Sequence, residues 1–321
     1  MSALFGWFGS NFDVVFFIYG LAFVVMGLAI LFQPKKDSDL ELSGILWLLS
    51  MFGIVHGASE WLEMWEIIKA PNLALELIKW LSLAVSYYFL FEFGRRFYEI
   101  MKSRYFLVNQ RTVYWFGKWS LPVVALSILI FHHTIPDFTK LCTIWARYLL
   151  GFPGALLAGA MFFSYYLKQK EELNKTRTGK YFLIASASFV VYAFLGGLVV
   201  PEADFFPADR LNTHTFFTAV KIPVQVFRAV CAITSAWAVV GLLRIFEWER
   251  IEKIKNAYLE LGKLNAALRE TMDKLSHSNK DLAQFASAIS HDLKEPLRTI
   301  TNYVQLLEQR YKDKLDPDAL R

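Results

Sequence analysis

Residues 285–298, FASAISHDLKEPLR, lie in the middle of a strongly helical run with a histidine at its centre. Asp292 follows His291 directly, and Lys294 and Pro296 come next. The sequence leading up to this stretch carries a heptad seam. With Ile251 taken as position a, the seam reads Ile251, Ile254, Tyr258, Leu261, Asn265, Leu268, Met272, Leu275, Asn279, Leu282, Ala286, Ile289, alternating a and d. Carried forward, that phase puts His291 at position f, furthest from a partner helix and free to meet another protein. Asn265 and Asn279 both fall at a positions, where a buried Asn pairs best with its own copy. The seam therefore predicts a parallel homodimer held in register.

Upstream of the seam the composition changes abruptly at Arg244. The chain of 321 residues is 55% hydrophobic and 17% aromatic, with ten Trp, which excludes an ordinary soluble domain and suits membrane-interface belts. Seven stretches reach the ~20 apolar residues of a bilayer-spanning helix. They lie near 14–32, 42–62, 74–94, 114–133, 146–167, 181–200 and 220–244. Lys35 and Lys36 follow the first span, Arg95, Arg96, Lys102, Arg104 and Arg111 the third, and Lys168, Lys170, Lys175, Arg177 and Lys180 the fifth. Basic residues collect on the cytoplasmic side, so the N-terminus is expected outside and the C-terminus inside, in the inner membrane of the cell. The same clustering explains the net charge of +5 and removes it as a sign of nucleic-acid binding. Cys142 and Cys231 are the only cysteines, and with Cys231 inside an apolar span no structural disulfide is expected. The first apolar stretch lacks the flanks of a cleavable signal peptide.

The segment from Pro201 to Thr218 is too short for a separate sensor domain, so a signal must be read by the bundle itself. Charges inside spans are costly and usually face the bundle interior. His56, Glu60 and Glu63 share one face of the second span, and His214, Thr218, Lys221, Gln225 and Arg228 keep helical spacing along the seventh. At ~1.5 Å per residue Arg228 lies roughly 24 Å from Arg244, and His56 roughly 22 Å from Glu41. The two stripes are thus expected to meet in the outer half of the bundle. Arg147, placed at the outer end of span five, is expected toward the same side, with Glu76 and Lys79. His56, Glu60, Glu63, Arg147, Lys221, Gln225 and Arg228 are the candidate residues for a small ligand or a proton, or else a set of interhelical ion pairs. His56 with His132 or His133 is the set a haem or metal would use; no other metal site is expected. Gly151, Ala155 and Gly159 have small-x-x-x-small spacing for close helix packing, and Pro122, Pro153 and Pro223 are expected to kink their helices.

The string SHDLKEPL, Ser290 to Leu297, resembles the phosphoacceptor box of sensor histidine kinases, in the subgroup where it reads H-D-L-x-E-P-L-R. The resemblance covers roughly the last forty residues. It implies that His291 takes the γ-phosphoryl group of ATP, that Asp292 orients the imidazole, and that an aspartate on a response regulator receives the group. A neutral imidazole beside a carboxylate suits that chemistry. Glu295 stands where many relatives carry Asn or Thr, a position linked to phosphatase activity, so the resemblance implies kinase function rather than phosphatase function. Pro296 removes a backbone donor and predicts a kink past the reactive site.

The expected architecture is all-α. A seven-helix membrane sensor spans 1–245, a coiled-coil signalling helix 246–284, and the start of a dimerisation and phosphotransfer domain 285–321. No PAS- or HAMP-like segment intervenes. Asp316 and Pro317 open what reads as a second helix, and neither a P-loop nor a Gly-rich ATP lid follows. ATP with Mg would therefore belong to the full-length protein, and a truncated chain that does not phosphorylate itself is expected. The remaining readings are a transporter-like receptor and a haem- or metal-binding one, each with a regulatory helical tail. A transporter would show an internal repeat with broken helices, and none is seen.

Overall fold

The computed structural model describes residues 11–34, 38, 40–69, 73–105 and 138–311. The expected fourth span 114–133, with Pro122, His132 and His133, lies outside the described residues, as do Lys35, Lys36, Arg111, Asp316 and Pro317. Among the described residues the chain is all-helical, with no strand and one isolated bridge between Val200 and Asn212. It divides into two units, Met1–Ile251 and Glu252–Arg321.

In the first unit α1 is Phe12–Phe32, α2 Leu46–Ile68 and α3 Leu73–Tyr105. Then α4, Phe138–Ala146, passes through a π-helical turn, Arg147–Gly151, into α5, Phe152–Lys168. Short α6, Lys170–Lys175, leads to α7, Gly179–Tyr192, which ends in a second π-helical turn, Ala193–Leu198. Next come α8, Thr213–Val220, α9, Val224–Leu242, and the start of α10, Arg244–Tyr311, most of which belongs to the second unit. Among the described residues five helical segments are long and apolar enough to cross a membrane: Phe12–Phe32, Ala74–Met101, Phe138–Lys168, Gly179–Leu198 and the one opening at Val224. Helix α2 has the length, but His56, Glu60, Glu63 and Glu66 make it less apolar.

Helices α1, α2, α3, α5, α7 and α9 each pack on the next, and α9 returns to α1, closing a ring. Its interior is aromatic: Phe93, Phe97, Phe162, Phe182 and Phe189 are all buried, and Phe162 stacks on Phe189 with ring centroids 5.8 Å apart. Its outward faces are apolar too. Phe17, Leu21, Val25, Leu31, Val230, Ile233 and Trp237 are exposed, which suits a lipid solvent rather than water.

Several boundaries differ from expectation: the second span is Leu46–Ile68 rather than 42–62, and the third runs on to Tyr105 rather than 94. Span five opens at Phe138 instead of near 146, so Arg147 sits about 14 Å into the span rather than at its outer end. Polar Thr139 and Lys140 had hidden the first turns. The seventh span opens at Val224, because Lys221 closes α8 in the left-handed region (φ 64°) and Pro223 caps α9. Proline has no N–H to extend a helix from α8, and it disfavours helical geometry at Ile222. The expected stripe is therefore broken. His214 and Thr218 lie on α8, Lys221 is exposed at the junction, and Arg228 alone of the five is buried. Pro223 caps a helix rather than kinking one, and Pro153 lies in the first turn of α5. Arg95 and Arg96, counted as loop cations, lie on α3 and share Glu92, at 2.6 and 2.7 Å.

The closest packing was not expected from the sequence. On α1 and α2, Gly20, Gly27, Gly53 and Gly57 let two backbones touch: a Cβ on Gly53 would lie 2.6 Å from the Phe23 carbonyl oxygen. A side chain at Gly57 would meet both the Gly20 carbonyl and Val24. Such small-residue contacts hold membrane helices together by close dispersion contact. Gly57→Leu should force α1 from α2 and cost about 1–3 kcal/mol. Thermal unfolding in detergent should show the loss, and an unchanged midpoint would mean that the contact is looser. The expected small-residue positions on span five are also filled: Gly151 faces the Tyr87 ring and Gly159 the Ser186 backbone.

The second unit is, to Tyr311, helical throughout, and the helix continues through Pro296. Its apolar seam is solvent-exposed in the single chain, from Leu261 (53%) to Leu282 (66%).

Candidate functional site

The polar residues of the bundle converge on His56. Helix α2 presents it fully buried, and Tyr19 of α1, Tyr192 at the end of α7, and Ser86 and Tyr87 of α3 surround it. Tyr192 Oη lies 2.7 Å and Tyr19 Oη 3.3 Å from His56 Nε2, and the two hydroxyls are 2.8 Å apart. On the other side His56 Nδ1 is 2.9 Å from Ser86 Oγ, whose own proton goes to the Leu83 carbonyl at 2.7 Å. A hydroxyl carries one proton, so Ser86 must accept, and Nδ1–H is the donor. With a neutral imidazole Nε2 then accepts from Tyr192, which accepts from Tyr19. One ordered relay thus runs from Tyr19 through Tyr192 and His56 to Ser86. Glu60, 3.4 Å from Nε2, is the neighbour that would receive Nε2–H if the ring gained a proton, and the tyrosine hydroxyls would have to turn. A proton could enter the relay only with that reorganisation.

Two guanidiniums flank this relay. Arg147, in the first π-helical turn, donates from Nη1 to the Gly196 carbonyl at 2.7 Å and to Tyr87 Oη at 3.3 Å. Arg228 donates from Nε to the Leu195 carbonyl at 2.9 Å and from Nη2 to the Val199 carbonyl at 2.6 Å. Both are buried, and among the described residues neither forms an ion pair with a carboxylate. The carbonyls they occupy belong to the second π-helical turn and its end. A π-helical turn shifts the hydrogen-bond register, and such turns recur at functional sites. Here the Gly196–Gly197 pair lets it form, since a Cβ on Gly197 would lie 2.6 Å from Phe152 Cα.

The seven sequence candidates therefore separate. His56 and Glu60 join the relay, and Arg147 and Arg228 hold the second π-helical turn. Glu63 instead pairs with Lys79 at 3.2 Å, Gln225 is half-buried on α9, and Lys221 stands exposed away from the buried set. The expected direct meeting of Arg228 and His56 is replaced by one through α7: Arg228 binds Leu195 and Val199, while His56 binds Tyr192. Sequence reasoning missed Tyr19, Tyr87, Tyr192 and Ser86. Among the described residues no group of three or more His, Cys, Asp or Glu could hold a metal ion, and a metal on His56 would displace one of its hydrogen bonds.

On α10 the side chains of His291 and Asp292 are 79% and 84% exposed, with His291 Nδ1 3.5 Å from Asp292 Oδ1.

No family model matches the chain, and no solved structure matches it. The chain is similar to two cyanobacterial proteins over a short stretch. Phytochrome-like protein Cph1 of Synechocystis sp. is 39% identical over 89 residues, and cyanobacterial phytochrome A of Nostoc sp. is 44% identical over 91. Each match covers 26% of this chain and 12% of the relative, so the chain spans about one eighth of the length of these curated relatives.

Proposed function

We propose that this chain is the receptor and phosphoacceptor segment of a sensor histidine kinase of a two-component system, working as a homodimer in the inner membrane. The observation that carries the reading is the SHDLKEPL box on the same unbroken helix as the heptad seam, with its histidine open to solvent beside an acid. The partial similarity to two phytochromes supports a signalling role at the coarse level of sensor kinases. The apolar helices support a membrane location, and the distribution of Lys and Arg supports an N-terminus outside and a C-terminus in the cytoplasm.

On this reading the seams of two chains pair in parallel, Asn265 and Asn279 each against its own copy. His291 faces outward, attacks the γ-phosphoryl group of ATP held with Mg by an ATP-binding domain, and passes it to an aspartate of a response regulator. The ring nitrogen attacks phosphorus, the bond to the ADP oxygen breaks, and ADP leaves. Asp292 holds the imidazole in the tautomer that leaves the attacking nitrogen free. The relay around His56 is the element that a signal, whether a proton or a small ligand, would reorganise. Its hydrogen bonds tie α1, α2, α3 and α7 together, and Arg228 ties α7 to α9.

The test is ATP labelling of the chain joined to an ATP-binding domain. Labelling should appear as an acid-labile, base-stable phosphoramidate on His291. Acid-stable label on serine or threonine, or none, would remove the kinase reading.

A further inference from the structure

Among the described residues α8, Thr213–Val220, is the one α-helix of the first unit without a buried side chain. Its N-terminus is nonetheless closed by a reciprocal cap. Asn212 Oδ1 accepts from the Thr215 N–H at 2.8 Å, and Thr215 Oγ1 accepts from the Asn212 N–H at 3.1 Å. At the other end Lys221 and Ile222 alone separate α8 from Pro223, the cap of α9. Three backbone steps reach about 10 Å, so α8 stays close to the depth at which the α9 span begins.

Helical spacing divides the surface of α8. Phe216, Phe217 and Val220 fall on one side, and His214, Thr218 and Lys221 on another. Phe216 is half-buried, its ring edge-on to Phe227 of α9 with centroids 5.7 Å apart. Phe217 and Val220 are left open, 46% and 40% exposed, and the residues leading into the helix add Phe206 at 76% and Leu211 at 48%. Phe227 precedes Val230 by one turn, and Val230, Ile233 and Trp237 are the exposed outward face of α9. The contact of Phe216 with Phe227 therefore joins the apolar side of α8 to the edge of a surface that suits lipid. Four large apolar side chains exposed between Phe206 and Val220 exceed the scattered exposure of an ordinary surface and mark an interaction face.

We propose that α8 lies along the bilayer surface at the start of α9, with Phe217 and Val220 in the boundary between headgroups and acyl chains and with His214 and Thr218 toward water. The partner is the lipid surface itself. Lys221 fits the same placement, since its stem can lie along apolar surface while its ammonium reaches the headgroup phosphates. This surface is independent of phosphotransfer and rests only on the membrane placement of α9.

With Cys142 and Cys231 replaced, single cysteines at Phe217, Thr218 and Val230 of the full chain would carry an environment-sensitive fluorophore in phosphatidylcholine nanodiscs. Quenching by phosphatidylcholine with doxyl groups on its acyl chains would be compared with quenching by iodide in the water. The ratio of lipid to iodide quenching should be several-fold higher at Phe217→Cys than at Thr218→Cys, and Val230→Cys should resemble the former. Val220→Cys, on the same side of α8, should repeat the result at Phe217→Cys. All four positions are exposed, so unfolding temperatures should equal that of the cysteine-free parent. A ratio at Phe217→Cys no higher than at Thr218→Cys, with Val230→Cys still quenched by lipid, overturns the α8 surface alone and makes α8 a water-facing helix. Protection of Phe217→Cys from both quenchers shows that protein, such as a second copy of the chain, covers it, and overturns the lipid assignment as well. Iodide quenching at Val230→Cys removes the membrane placement of α9 and this inference with it.

Discussion

Replacing His291 with glutamine is expected to take ATP-dependent labelling to background in the chain joined to an ATP-binding domain. Glutamine is a good helix former of similar reach but offers no nucleophilic ring nitrogen. The position is 79% exposed, so neither packing nor helix content should change, and the far-ultraviolet dichroism of the variant should match the parent. Loss of label then reports chemistry and not folding. Asp292→Asn keeps the shape but not the charge, and should slow labelling by about 10²-fold, the lower end of what a positioned acid–base group contributes. Label that persists in His291→Gln would show that another residue is the acceptor.

The second large effect is expected at Arg228. Arg228→Met leaves the Leu195 and Val199 carbonyls without the donors they now have, at 2.9 and 2.6 Å, in a region with no water to replace them. Each buried acceptor left unpaired costs about 1–3 kcal/mol, so a loss of about 2–6 kcal/mol is expected. For a domain of this size that lowers the unfolding temperature by roughly 10 °C. Arg228→Lys, with one donor head instead of a fork, can serve only one carbonyl well and should fall between the two. If the methionine variant unfolds with the parent, the guanidinium does not hold the second π-helical turn.

The two halves were not equally legible in the sequence. Reading the seam and the box needs only local order: a period of 3.5 places His291 at f whatever the bundle does, and the structure keeps it on one helix to Tyr311. Most spans were legible because a bilayer fixes their length. Their ends were less so. Lys221 and Pro223 carried a visible break signal, yet the mostly apolar residues on either side of them favoured one continuous helix. Phe138 to Ala146 was hidden for the opposite reason, since Thr139 and Lys140 interrupt an otherwise apolar turn. The relay was half visible. His56 and Glu60 are conspicuous in an apolar helix, whereas Tyr19 and Tyr192 count as aromatic filler until their hydroxyls are seen to meet at 2.8 Å. The π-helical turns leave no periodic trace, because one inserted residue is within the scatter of a hydrophobic pattern; the Gly196–Gly197 pair was the available hint. The contact of α1 with α2 could have been suspected from Gly53 and Gly57, four residues apart.

The pairing of two chains along the seam underlies the whole reading, and cysteine cross-linking in native membranes tests it most directly. With Cys142 and Cys231 replaced, Leu268→Cys, at a d position, should oxidise to a dimer between like residues, whereas Glu270→Cys, at f, should stay monomeric. Monomer for both, or equal cross-linking at both, would contradict a parallel pair with His291 turned outward.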